Sequence, residues 1–220
     1  MNRILLVLAT QVEAMPIATK KLPIGFPTAM SLTERHHVDI LVTGAGAVPT
    51  AYHLARNLST YNLIINLGIA GSYRAEIMPG SLVTLGSDAF ADYGIDNNGH
   101  FEPINSFDFN NDTPCRLDRL ESPWLNQFNL ALPVVKGITV GTTSGSTERI
   151  ARLREQWNPD IETMESAAVF FACLAAGKPF ICLRAISNAV EPRNPKNWRI
   201  KLAVDRLADC TLDLLENKIA

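Results

Sequence analysis

Short apolar runs, each halted by glycine, proline or a polar turn and separated by helix-period segments, restrict this chain's fold more than any other feature. Ile4–Ala9, Val38–Val42, Leu63–Leu67, Val134–Val140 and Phe180–Ile186 read as buried strands, and Ser81–Leu85 as a further strand. Between the second and third runs, Ala47, Ala51, Leu54, Ala55 and Leu58 share one helical face. Strand, helix, strand is the unit from which parallel sheets are built. Met164–Ala176 reads as a buried helix stopped by Gly177, with Pro179 beyond. A last helix is expected to begin at Asn194 as cap with Pro195 in its first turn, its apolar face running Ile200, Ala203, Val204, Leu207, Thr211, Leu214, Leu215. The expectation is an α/β fold: a twisted central sheet with helices on both faces, in one domain over residues 1–220.

Such sheets bind ligands beyond the carboxyl ends of their strands, so the segments after Leu8, Val42, Leu67, Val140 and Ile186 should surround one site. Asp88–Gln127, polar and interrupted by Pro103, Pro114 and Pro123, lacks sustained periodicity and reads as a long excursion. A formal net charge of -2 gives no global basic field, which argues for a small-molecule partner and against nucleic acid. The four cysteines form no C-x-x-C pair and read as reduced thiols. The N-terminal apolar run is short, is followed by acidic Glu13 and lacks a small-residue cleavage site. Ala167–Ala176, the longest later apolar stretch, is far too short for a membrane span. A soluble cytoplasmic protein, without membrane contact, is expected.

Several residues carry chemistry. Thr43-Gly44-Ala45-Gly46 and Asn66-Leu67-Gly68-Ile69-Ala70-Gly71-Ser72 read as glycine turns, able to admit a ligand or merely to turn the chain. The first is neither G-x-G-x-x-G, since position 49 is Pro49, nor a lysine-bearing P-loop. Glu13 lies just beyond the first strand, where it is either a pocket carboxylate or a solvated helix residue. Glu165 and Arg184 both stand in apolar runs, and buried charges need partners. A structural Glu165–Arg184 pair would account for them, and so would a ligand site. Asn188 follows the last strand at the expected ligand position, or else satisfies a turn. Glu191, Arg193 and Trp198 form either part of a site or a helix entry. The four histidines form no catalytic or metal pattern, and no metal or cofactor is expected.

Taken together, the early strand with its acidic residue, the Asn66–Ser72 segment, Met164-Glu165 and Arg184-Ala185-Ile186-Ser187 resemble, in the same order, the purine nucleoside phosphorylase/hydrolase superfamily. The resemblance implies a three-layer α/β/α sandwich around a mixed sheet and a homo-oligomer, with a dimer favoured. It implies that Glu165 holds the ribose hydroxyls, that Met164 lies under the sugar, and that Ile69, Ala70 and Gly71 border the substrate. It further implies that Glu13 activates a nucleophilic water, with Arg184 as the nearby guanidinium. Nucleosidases for methylthioadenosine and S-adenosylhomocysteine have Asp where this chain has Asn188. An amide cannot deliver a full proton to adenine, but it can donate and accept hydrogen bonds, which suits a six-oxopurine. The longer block Glu162–Glu165 and Arg184–Asn194 with Trp198 resembles the futalosine hydrolases, which release hypoxanthine from a nucleoside bearing a carboxylated aromatic group, on a route to menaquinone. In that reading Arg193 and Trp198 meet the aromatic acid. A methylthioadenosine/S-adenosylhomocysteine nucleosidase, a phosphorylase and a nonenzymatic nucleotide-binding module are the rival readings.

Overall fold

The computed structural model describes residues 2–106, 115–128 and 130–219. The chain begins with β1 (Arg3–Leu8), α1 (Gln11–Ala18), β2 (Thr28–Met30), β3 (His37–Val42) and α2 (Ala47–Ala55). It continues with β4 (Leu63–Ser72), β5 (Leu82–Asp88), a hairpin of β6 (Gly94–Asn97) and β7 (His100–Pro103), and the short β8 (Leu120–Glu121). The last third holds β9 (Val134–Thr139), α3 (Thr147–Trp157), β10 (Ile161–Thr163), α4 (Ser166–Ala175), β11 (Phe180–Ala189) and α5 (Ile200–Asn217).

The main sheet is mixed, in the order β10-β9-β5-β11-β4-β1-β3-β2, with β8 added alongside β5. β1 lies parallel to both β3 and β4, and β4 parallel to β11. β10 pairs with β9 and also, antiparallel, with the far end of β4, so strands β4, β11, β5, β9 and β10 form a closed ring.

Alternation along β1 explains the layers. Ile4, Leu6 and Leu8 pack in one core with Ala14 and Ile17 of α1 and Ala203 and Leu207 of α5. Leu5 and Val7 face the other way, into a core with Leu54 of α2 and Val169 and Phe170 of α4. Both faces are covered, which is why β1 reads as an unbroken apolar run. Each fully buried Leu or Ile contributes roughly 1.5–3 kcal/mol over exposure. The result is a three-layer α/β/α sandwich.

β5 runs past Leu85 to Asp88, and four further boundaries near the site differ from the sequence reading. Residues 66–72 are not a turn: β4 runs through both glycines to Ser72, because β11 pairs with it along its length. β11 likewise extends past Ile186, across a bulge, so Asn188 lies within the strand. α4 starts at Ser166, which leaves Met164 and Glu165 ahead of it rather than inside the helix. Asn194 caps only a short 3-10 turn over Pro195–Asn197, and α5 begins at Ile200. The 88–127 excursion contains the β6–β7 hairpin and β8; Pro114 lies outside the described residues.

Candidate active site

The strands' carboxyl ends converge, as expected, on one cavity of about 340 Å³. Ala9 and Glu13 border it after β1, Ala45 after β3, Ile69–Gly71 at the end of β4, Ser144 after β9 and Asn188 at the end of β11.

Glu13 is placed by its own helix start. Thr10 caps α1, and the Glu13 carboxylate closes a capping box: Oε2 accepts the Thr10 backbone N–H (2.9 Å) and hydroxyl (2.8 Å). Oε1 accepts the Ile69 N–H at 3.1 Å. Glu13 is only 6% exposed and borders the cavity, so it is not a solvated helix residue. Its Oε1 retains acceptor capacity beyond the Ile69 bond.

Arg184 is buried in β11, 1% exposed, and does not border the cavity directly. The sequence left a Glu165–Arg184 pair open; instead Arg184 donates to the Asn66 side-chain carbonyl, to Ser166 Oγ (2.7 Å) and to the backbone carbonyl of Leu183 (2.7 Å). Its Nε–H has no protein hydrogen-bond partner among the described residues. A methyl group on Gly68 would come within 3.1 Å of Glu13 Oε1 and 3.4 Å of Arg184 Nε. The carboxylate and the guanidinium thus flank the bare Cα of one glycine.

Glu165 stands at the N-cap of α4, partly buried, and its Oε1 accepts the Gly46 N–H at 2.8 Å. Gly46 is itself the N-cap of α2, with φ 97, a conformation glycine adopts without a Cβ penalty. The carboxylate therefore sits between two helix N-termini, where negative charge is favoured. Burial pushes the Glu165 carboxyl above its ordinary range, opposed by the Gly46 hydrogen bond and the Arg184 charge, and reinforced by Glu13. Met164 borders the cavity beside it.

Asn188 also borders the cavity. Its Oδ1 accepts the Ser187 hydroxyl at 2.7 Å and its Nδ2 donates to the Ala189 carbonyl at 2.8 Å. One amide hydrogen and one carbonyl lone pair remain. A Cβ on Gly71 would be 2.9 Å from Val190 Cγ2 and 3.2 Å from Nδ2, so the glycine in β4 leaves room for both side chains.

Glu162 is the carboxylate to which the sequence reading assigned no role. It is 6% exposed and borders the cavity from β10. Its Oε1 accepts the Ser144 N–H (2.8 Å), and its Oε2 accepts the Ser144 hydroxyl (2.5 Å) and the Tyr73 hydroxyl (2.9 Å). Burial, then the Glu162 charge, raises the Tyr73 hydroxyl above its ordinary range. The available signal was an acidic residue between Ile161 and Thr163, but a three-residue strand shows no readable period. Trp198 borders the cavity; Arg193 does not, and is exposed, with its guanidinium 5.2 Å from the Trp198 ring centre.

Residues 3–216 match the family model of the phosphorylase superfamily. A futalosine hydrolase of Streptomyces coelicolor is 32% identical over 78% of this chain and 75% of its own length. One from Thermus thermophilus is 30% identical over 80% of each. A solved structure of a futalosine hydrolase mutant of Helicobacter pylori superposes with a TM-score of 0.80 at 18% identity, covering 98% of this chain and 99% of its own, which is a likeness of fold. The chain belongs to the phosphorylase superfamily and, within it, to the futalosine hydrolase family.

Proposed function

We propose that this protein is a nucleosidase that hydrolyses the N-glycosidic bond of futalosine, releasing hypoxanthine and dehypoxanthine futalosine, a step in menaquinone synthesis. The observation that carries the reading is that Glu13 Oε1, whose residue borders the cavity, and the buried Arg184 Nε both approach the bare Cα of Gly68. A water held there receives the unpartnered Nε–H and gives a proton to Glu13 as it attacks the anomeric carbon. General-base catalysis of this kind contributes about 100- to 10,000-fold.

The transition state is oxocarbenium-like, with positive charge on the sugar and negative charge on the departing base. Glu165 grips the ribose hydroxyls more tightly as the sugar becomes cationic, which is differential transition-state binding. Met164 supports the sugar, and the backbone of Ile69, Ala70 and Gly71 lines its approach. Asn188 donates its remaining amide hydrogen to the base and accepts from the six-oxopurine. Trp198 stacks on the aromatic 5′ group, and Arg193, above that ring, receives the carboxylate.

The protein acts on a small purine nucleoside rather than on nucleic acid, as a cytoplasmic homodimer. Among the described residues no helix is long and apolar enough to cross a membrane. Exposed Ile24, Phe26, Val48 and Tyr52 support the dimer, with the His53 ring of α2 packed against Gly25 to join the 24–26 segment to that helix. The test is a panel of hypoxanthine and adenine nucleosides sharing one 5′ group, with products separated by chromatography. Preferential hypoxanthine release is expected; preference for the adenine series overturns the specificity.

A further inference from the structure

Behind the cavity runs a line of buried side chains that the proposed reaction does not use. Asp88, 2% exposed at the end of β5, accepts the Thr139 hydroxyl at 3.0 Å on Oδ1. Thr139 Oγ1 lies 3.1 Å from Thr163 Oγ1, which lies 2.8 Å from Ser166 Oγ. Ser166 Oγ is in turn 2.7 Å from Arg184 Nη2. Four elements and the residue heading α4 thus meet in one chain of hydrogen bonds, buried throughout and bordering the cavity at Thr163.

The two ends set its direction. A guanidinium only donates, so Ser166 Oγ accepts from Arg184 and shares its own proton between Thr163 Oγ1 and the Asp88 carboxyl. Thr163 Oγ1 also accepts the Ser166 N–H at 3.3 Å, so its proton goes on to Thr139. Thr139 Oγ1 also accepts the Ala167 N–H at 2.8 Å, so its proton goes to Asp88 Oδ1. Both threonine hydroxyls therefore accept two hydrogen bonds and donate one, and the Ser166 and Ala167 N–H groups that α4 leaves open at its start are satisfied. Arg184 has no carboxylate within ion-pair distance among the described residues; Ser166 Oγ shares Nη2 with the Asn66 side chain, while Nη1 is held by the Leu183 and Asn66 backbone carbonyls.

We propose that Asp88 and Thr139 are positioning residues for glycoside hydrolysis: Asp88 is the terminal acceptor that orients the hydroxyls of Thr139, Thr163 and Ser166, and through them holds Arg184 Nε beside Glu13. The proposal rests on the roles given above to Glu13 and Arg184. It concerns turnover more than substrate affinity, because Glu165 is anchored separately, on Gly46.

The test compares Thr139→Val, which keeps the branched shape but breaks the chain, with Thr139→Ser, which keeps the hydroxyl. Asp88→Asn, whose amide carbonyl can still accept at Oδ1, is compared with Asp88→Ala. On protein shown to be folded by circular dichroism, Thr139→Val and Asp88→Ala are expected to lower kcat about 10-fold, the scale of one charge-assisted hydrogen bond, with KM within about twofold. Thr139→Ser and Asp88→Asn should stay within about twofold of the parent. The double variant Asp88→Ala/Thr139→Val should lose no more than either single one, since both cut the same chain. Full turnover in folded Thr139→Val, an equal loss in Thr139→Ser, or multiplying losses in the double variant would overturn the proposal. If Asp88→Ala does not fold, the Thr139 pair alone decides. A failure of the underlying site reading is distinguishable, because Glu13→Gln would then retain its turnover.

Discussion

Glu13 and Gly68 illustrate how much depends on single positions. Glu13 is held by three protein donors, so Glu13→Gln should fold normally while losing the ability to take a proton from water. Its kcat is expected to fall by about 100-fold or more. Near-normal turnover in the folded variant would reduce Glu13 to a capping residue. Gly68→Ala addresses the same point from the backbone. The added methyl would crowd Glu13 Oε1 and Arg184 Nε, and a misplacement of about 1 Å near the chemistry costs on the order of 100-fold. Circular dichroism and steady-state kinetics on that variant check both halves; unimpaired turnover would remove the water site from between the two groups. Glu13, Glu165 and Asn188, which border the cavity, and the buried Arg184 were legible as candidates because charged or amide groups stood beside or inside apolar runs. Glu162 received no role because its strand is too short to show a pattern, and Gly68 looked like a turn because a glycine in a strand and a glycine in a bend are the same letter.

At the scale of elements, β5 and the segment ahead of α5 each carry a testable consequence. Burial raises the Asp88 carboxyl at the end of β5 from its ordinary range to about 7, against the pull of the Thr139 hydroxyl, the Ala89 N–H and the Arg184 charge. Between pH about 4, where an unfolded Asp titrates, and pH 7 the folded chain then binds this proton and the unfolded chain does not. Stability contributed by that proton is present below the window and is lost as pH rises through it. Urea midpoints across this range should therefore fall for the parent relative to Asp88→Asn; parallel profiles would contradict the assignment. Ahead of α5, Arg193 lies over Trp198 rather than in the cavity wall. Arg193→Ala is expected to raise KM about 10-fold or more for a carboxylated substrate, and less for a plain hypoxanthine nucleoside. Equal losses on both would leave Arg193 a helix-entry residue. Strand and helix interiors were readable from periodicity; their ends were not. β4 and β11 continue through glycine and past a bulge because each supplies the other's hydrogen bonds, a pairing no local pattern reveals.

For the whole molecule, the order of apolar runs was enough to reveal a covered sheet with a cavity at its carboxyl edge, but not the ring closed when β10 pairs with β4. That contact joins residues distant in sequence and places Glu162 against Gly71. The exposed apolar set on α2 and the 24–26 segment belongs to this scale too. Val48 is 81% exposed, so Val48→Glu should leave each subunit folded while shifting the mass seen by light scattering from dimer to monomer. A mass unchanged by the substitution, or a monomer mass for the parent, would contradict the proposed dimer through this face. The central claim, hydrolysis of futalosine by activated water, is tested most directly by incubating the protein with futalosine and inorganic phosphate in 18O-labelled water. Mass spectrometry should find hypoxanthine and a dehypoxanthine futalosine carrying one 18O at the anomeric hydroxyl. A sugar 1-phosphate without the label, or futalosine left intact, would contradict it.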